Sequence, residues 1–239
     1  MSTTAPFIRP YNPSTDYPSV LNVFHATLPP TLHREPTASL SAYLYCIPYL
    51  HLTPQTCFVL DDGAGAGAGE VVGYIIGTEG NEGFVRGWRG GYMGFVLGGD
   101  GDGDGDGVVE MLRRGVREGE GEGDDAVGWI ARVFHEPEEA LLFKGIPGFL
   151  EEYSGHFHID ILPTHQRRGY GAKLLTVFLQ KIKDLGATGC HVVPTADNVD
   201  ARRFYEREGF RPYPGVLDEG VSGEVGRMGN GTVVLVRGV

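Results

Sequence analysis

Apolar residues along this chain switch between a period of two and a period near 3.6, and the switches outline its elements. Pro6–Pro10 carries Phe7 and Ile8 and is predicted as a short first strand. Asp16 is placed to cap a helix running to about Thr27, with Val20, Val23, Phe24 and Leu28 on its buried side; Pro29 and Pro30 end it. Leu40, Tyr43, Leu44 and Ile47 share one face of a second helix over Ser39–Cys46, which Pro48 is expected to stop. Cys57–Leu60 and Val71–Ile76 read as an antiparallel pair, with the Gly/Ala run Gly63–Gly69 as a flexible hairpin tip that carries no chemistry.

From Gly80 to Asp125 the periodicity lapses. Phe84 and Trp88 keep helical spacing and predict a short docked helix, and Val108–Arg117 a brief one, while Gly98–Gly107 and Glu118–Asp125 hold too little apolar surface to repay ordering. The pattern then resumes with an expected strand at Val127–Phe134, a helix at Pro137–Lys144 and a helical turn at Pro147–Tyr153. Gly155–Leu162 is the expected central strand, and its alternation sets His156, His158 and Asp160 on one face and Phe157, Ile159 and Ile161 on the other. Three titratable groups on one face are unusual for a core strand. They are either catalytic or a structural His–Asp pair. A helix over Gly169–Leu185 ends at Gly186, and Cys190–Val193 forms the neighbouring parallel strand. His191 in that strand reads first as a satisfied core histidine. Asp197 or Asn198 caps the next helix, Gly209 stops it, and Phe210–Tyr213 pairs with Thr232–Val236 across the loop Gly215–Gly231.

Composition narrows the class. With 239 residues and 41% hydrophobic content the chain can bury an ordinary core, as one large domain or two small ones. Of its 38 glycines, 23 lie between Asp61 and Gly128, so the excess is local and argues against a fibrous protein. The formal charge of -11 is local as well, because Asp100–Asp125 holds ten acids and three arginines, net -7, which leaves -4 for the remainder. Such a body lacks the basic surface of a general nucleic-acid binder. The run Asp102, Asp104, Asp106 resembles the start of an EF-hand loop, but counting from Asp102 puts Arg113, and from Asp100 Met111, where the bidentate glutamate belongs; no metal site is expected. Cys46, Cys57 and Cys190 are odd in number and widely spaced, as expected of core thiols in a reducing compartment. No signal-like start and no run of about 18 apolar residues occurs, so a soluble, cytoplasmic protein without membrane association is expected.

The stretch LPTHQRRGYGAK, Leu162–Lys173, carries the chemistry. It reads as a strand end, a polar turn and a glycine-marked helix start, where unpaired N–H groups and the positive dipole end suit a phosphate or pyrophosphate. Arg167, Arg168 and Lys173 add positive charge. Neither G-x-G-x-x-G nor the Walker motif is present. Gln166-x-x-Gly169-x-Gly171, together with Asn198-x-x-Ala201-x-x-Phe204-Tyr205-Glu206-x-x-Gly209-Phe210 at the expected distance downstream, resembles the two signatures of the GNAT superfamily of acyl-CoA-dependent N-acyltransferases. The likeness covers roughly Gly155–Phe210. Arg167 departs from it, since many members carry glycine there. The segments around Tyr45–Asp62 and His156–Pro163 also resemble a bacterial and fungal acetyltransferase group similar to the acetyltransferase-like domain of O-GlcNAcases.

The resemblance implies a single α/β GNAT domain over residues 1–239, with a splayed mixed sheet of about seven strands flanked by helices and a flexible Gly/Asp/Glu-rich insertion at about 80–126. It implies acetyl transfer from acetyl-CoA, a co-substrate, to a primary amine of a small molecule or peptide, by direct attack in a ternary complex. Ile161, Leu162, Gln166, Arg167, Arg168, Gly169, Tyr170, Gly171, Ala172 and Asn198 would bind the cofactor. The N–H of Ile161 would polarise the acetyl carbonyl and Tyr205 would protonate the departing thiolate, which suits a phenol still protonated at neutral pH. Asp160 is the first choice of base, acting directly or by orienting His158. In the family the two early helices shape the acceptor site, so Tyr43, Tyr45 and Tyr49 either line a pocket or belong to a half-buried helix. The alternative is a non-catalytic acyl-CoA-binding or protein-interaction domain of the same fold. The acceptor and the oligomeric state stay open.

Overall fold

A computed structural model describes residues 5–64, 69–98, 106–114, 126–194, 198–214 and 233–239. Seven strands among these residues form one mixed sheet: β1 (Phe7–Pro10), β2 (Phe58–Asp61), β3 (Val71–Thr78), β4 (Gly155–Ile161), β5 (Gly189–Val192), β6 (Arg211–Pro212) and β7 (Leu235–Gly238), in the order β1-β2-β3-β4-β5-β7-β6. Strands β4 and β5 pair in parallel, whereas β1–β2, β2–β3, β5–β7 and β6–β7 are antiparallel. The chain falls into two units, Met1–Thr78 with Phe157–Leu185, and Glu79–His156 with Gly186–Val239.

In the first unit every residue of β2 and β3 is buried, so both faces of these strands are covered, as their continuous apolar runs require. Helix α1 (Tyr17–Thr27) buries Val20, Val23 and Phe24, the stripe expected from its 3.6-residue period. Asp16 precedes it but does not cap it with its side chain. Its carboxylate instead accepts from both Arg9 Nη atoms at 2.6 and 3.0 Å and from the Asn12 amide at 2.8 Å, while Arg9 Nε donates to Asp61 at 2.9 Å. An arginine between two buried carboxylates outcompetes the local cap and ties β1, α1 and β2 together. Asp61 also accepts from the Gly63 and Gly69 amides, closing the base of the hairpin whose tip, 65–68, lies outside the described residues.

Helix α2 (Thr37–Tyr45) is followed directly by α3 (Ile47–Leu52), where the sequence predicted a stop. Pro48 sits in the first turn of α3, a position with no helical N–H to lose, so it opens a helix here and ends none. Later in this unit α10 (Tyr170–Asp184) buries Leu174, Leu175, Phe178, Leu179 and Ile182, and Phe178 meets Phe157 of β4 with ring centroids 5.2 Å apart.

The second unit starts with helices α4 (Asn81–Gly87) and α5 (Met93–Leu97), continuous through a wider π-type turn at Trp88–Tyr92. Phe84, Trp88 and Tyr92 are buried, and the Trp88 indole donates to the Phe134 carbonyl at 3.0 Å. Helix α6 (Asp106–Arg114) seats Leu112 in the interior, and 99–105 and 115–125, including most of the acidic run, lie outside the described residues. Val127–Phe134, expected as a strand, is α7 (Ala126–His135). Val127, Ile130 and Val133 are β-branched and suit a strand, but Trp129, Ile130, Val133 and Phe134 recur at helical spacing, and Phe134 stacks edge-on to Trp88 and Tyr92. Short helices α8 (Pro137–Leu141) and α9 (Phe149–Glu152) lead into β4. Beyond β5, α11 (Val199–Arg207) is capped by Asn198, whose side-chain oxygen accepts from the Ala201 amide at 3.0 Å. Gly209 closes it at φ +86°; Asp197 and Gly215–Gly231 fall outside the described residues.

Candidate active site

The turn after β4 takes its shape from residues within it. Leu162 donates its amide to the Val72 carbonyl at 2.9 Å, Pro163–His165 forms a 3-10 turn, and Gln166 Nε2 returns to donate to the Ile161 carbonyl at 2.7 Å. Arg167 then stands at φ +58° and Gly169 at φ +80°, two left-handed residues that swing the chain into α10. The first described helical bond here is Lys173 N–H to the Gly169 carbonyl at 3.3 Å, so the geometry of an α-helix leaves the amides of Tyr170, Gly171 and Ala172 without an intrahelical acceptor. A Cβ added at Gly169 would meet nothing within 4 Å, so the space over the turn is open. Arg167, Arg168, Gly169 and Lys173 are exposed, and the Lys173 ammonium lies 5.4 Å from the Tyr170 ring centre. Open backbone, helix N-terminus and nearby cations together fit a pyrophosphate.

The left-handed backbone at position 167 also accounts for the preference for glycine there, since a Cβ costs about 1–2 kcal/mol in that region. Glycine gives back part of this through its freer unfolded chain, about 0.5–1 kcal/mol. Arg167→Gly is therefore expected to shift stability upward by no more than about 1.5 kcal/mol in urea unfolding. Acetyl-CoA affinity should change little in calorimetry, because the turn works through its backbone.

The three polar residues of β4 go to separate environments. His156 places Nδ1 2.6 Å from Asn81 Oδ1 and stacks on His191, with ring centres 5.5 Å apart. His191 is buried, with Nδ1 2.8 Å from the Tyr153 carbonyl, and burial pushes it down to about 4; it is the satisfied core histidine expected. His158 lies between the edges of Tyr45 and Tyr49, at 5.8 and 5.2 Å, and burial pushes it, too, down to about 4. Asp160 accepts from the Tyr74 hydroxyl at 2.6 Å; the Thr27 hydroxyl, close enough to lower its pKa, donates to the Val23 and Phe24 carbonyls. The Tyr74 hydroxyl, not His158, holds its carboxylate, which alters the expected His158–Asp160 partnership. Asp160 is half-buried as a residue while its carboxyl group is enclosed. Burial raises its pKa to about 6, and the Tyr74 and Thr27 hydroxyls limit the rise.

The sequence did not single out three neighbours of this carboxylate. Tyr74 and Thr27 were hidden in an apolar strand and at a helix end. Gly73 lets β3 approach β4, since a Cβ there would stand 2.9 Å from Ile161 Cγ1 and 3.0 Å from the Asp160 carbonyl oxygen. A glycine inside a buried strand run is the signal that was available.

Tyr205 and Asn198 belong to the second unit. Tyr205 is buried in α11, its carbonyl accepts from the Phe210 amide at 2.9 Å, and its ring meets Phe204 and Phe210. Asn198 is engaged as the helix cap. The three cysteines are free and buried; burial raises all three thiols, Cys57 and Cys190 to about 12, which removes them as nucleophiles at neutral pH. No group of three or more His, Cys, Asp or Glu suited to a metal occurs among the described residues, and none of their helices is long and apolar enough to cross a membrane.

Residues 121–212 match the family model of the acetyltransferase (GNAT) domain. Among solved structures, the chain is similar to SsHAT, with 29% identity, 98% of each chain covered and a TM-score of 0.72. It also superimposes on an agmatine N-acetyltransferase mutant in its apo form (16% identity, 99% of this chain and 100% of that one, TM-score 0.51). A third match is the NatC complex bound to Gag peptide and CoA (11%, 99% of each chain, TM-score 0.50). The seven-stranded mixed sheet flanked by helices is the fold of the GNAT acyl-CoA N-acyltransferases.

Proposed function

We propose that this chain is a GNAT acetyltransferase that moves an acetyl group from acetyl-CoA to a primary amine, on a small molecule or a peptide, by direct attack. The whole chain is read as one catalytic domain, with kinship to the acetyltransferase-like domain of O-GlcNAcases resting on the Tyr45–Asp62 and His156–Pro163 segments. The turn amides of Arg167–Ala172 bind the pyrophosphate, the Ile161 amide faces the acetyl carbonyl, and Tyr205 returns a proton to the thiolate. Amine acceptors fit the site because an ammonium near pKa 10.4 must lose a proton before it attacks, and the site contains a base.

The observation that carries this reading is the Asp160 carboxylate. It stands on β4 directly before Ile161 and the turn, with a pKa of about 6. A carboxylate at about 6 is a far stronger base at neutrality than one near 3.9, and stronger than His158 at about 4.

Asp160→Asn tests it, with free CoA detected across a panel of amines. kcat/KM is expected to fall by about 10- to 1000-fold with acetyl-CoA affinity preserved. Wild-type kcat/KM is expected to rise as pH passes about 6 and then to level off. Stability runs the other way. A carboxyl whose folded pKa exceeds its unfolded value holds its proton more tightly when folded, so ionisation costs stability as pH rises from about 4 through about 6. The amide can still accept from Tyr74, so above pH 7 the Asn variant should melt no lower than wild type. A variant that melts early yet turns over normally once folded would make Asp160 structural. Wild type inactive with every amine would favour a binding-only domain.

A further inference from the structure

The two hydroxyls that act on Asp160 differ in kind. Tyr74 lies in the interior of β3 with no surface exposed, and its hydroxyl meets Asp160 Oδ2 at 2.6 Å, a short O–H···O⁻ distance. Thr27 is the last residue of α1, and its hydroxyl also lies 2.8 Å from the Val23 carbonyl and 3.2 Å from that of Phe24. One hydroxyl proton cannot serve the carboxylate and these carbonyls at once. We propose that Tyr74 is the positioning residue of this site, a fixed donor that holds one carboxylate oxygen of Asp160 and keeps the group ionised and aimed. The inference rests on Asp160 as the base but concerns a different residue, and its test separates the two.

The surroundings leave this task to hydroxyls. From β3 comes Tyr74; from α1, Thr27; from the α2–α3 junction, the Cys46 thiol; and from β4 itself, His158. Burial, the neighbouring Cys57 and the Asp160 charge all raise Cys46, so it stays neutral, and burial keeps His158 neutral at pH 7. No cation figures among the groups acting on Asp160. Burial and the Asp160 charge also raise Tyr74 well above the ordinary phenol range, so its proton stays in place throughout the working pH range. When Asp160 takes a proton from the ammonium, the proton goes to the carboxylate oxygen that Tyr74 does not hold. Tyr74 keeps its bond to the other oxygen, so the acid does not rotate away before the proton leaves.

The test reads the Asp160 carboxyl directly, by its ¹³Cγ chemical shift against pH in protein labelled at aspartate, with the signal assigned by its loss in Asp160→Asn. Tyr74→Phe is expected to move the midpoint upward by about one to two pH units, the worth of a hydrogen bond to a charged group, with acetyl-CoA affinity held. Thr27→Val is expected to move it upward by less, because its proton serves the helix carbonyls. Site-specific 3-fluorotyrosine at position 74, a stronger donor of nearly the same size, should move it down and keeps the test open if Tyr74→Phe fails to fold. An unmoved midpoint in folded Tyr74→Phe, or in the fluorotyrosine protein, overturns the inference. The acid limb of kcat/KM should shift in parallel. A carboxyl midpoint that moves while the acid limb stays fixed would uphold Tyr74 as the holder of Asp160 and reject Asp160 as the base.

Discussion

Tyr205→Phe is expected to lower kcat by about 10²- to 10⁴-fold while leaving acetyl-CoA binding nearly unchanged, because in the proposed reaction this hydroxyl is the proton donor to the thiolate. The ring is buried beside Phe204 and Phe210, at 5.2 and 5.6 Å, and phenylalanine keeps that packing. The α11 backbone that carries it is held by the Asn198 cap and by the Phe210 amide donating to the Tyr205 carbonyl. A thiolate leaving without a proton donor must be protonated by water, and the lost rate measures that difference. Single-turnover acetyl transfer isolates the chemical step, and calorimetry with acetyl-CoA checks binding. An unchanged single-turnover rate would assign the acid role elsewhere.

Gly171→Val should produce a folded protein whose acetyl-CoA affinity has dropped at least about 100-fold, since two charge-assisted amide bonds at about 1.5–3 kcal/mol each are put out of reach. Gly171 is half-buried in the first turn of α10, where the amides have no helical acceptor. A β-branched side chain there stands where the pyrophosphate must approach the backbone. The helix itself should survive, because Leu174, Leu175, Phe178 and Ile182 anchor it through the turns that follow. Gly171→Ala should lie between the two, as a single methyl demands less room. Calorimetry showing wild-type affinity in folded Gly171→Val would remove the pyrophosphate from this turn.

What could be read without coordinates was chemistry whose cause is local. The Asn198 cap, one of two candidates, and the helix ends at Gly186 and Gly209 each depend on a few consecutive residues, and all three stand where the sequence placed them. The apolar stripes of α1 and α10 were legible for the same reason, since 3.6-residue spacing is a property of one segment. Where a segment suited two structures, the sequence could not choose. Val127–Phe134 suits a strand by residue type and a helix by spacing, and its contact with Trp88 and Tyr92, some 40 residues earlier, decides for the helix. Pro48 was legible as punctuation but not as opening or closing, because that depends on what α3 packs against.

The candidate base divides along the same line. The sequence alone determined that Asp160 precedes the anion turn on a polar strand face. Only the tertiary structure decided its partners, because Tyr74 is 86 residues away on β3 and Thr27 is farther still, at the end of α1. Alternation along β4 suggested His158 as the partner, but residues two apart on a strand point the same way without having to meet, and hydroxyls from neighbouring elements reach the carboxylate instead. The pKa of about 6 follows from that enclosure. Desolvation depends on what surrounds a group in space, and a linear pattern of residues does not contain it.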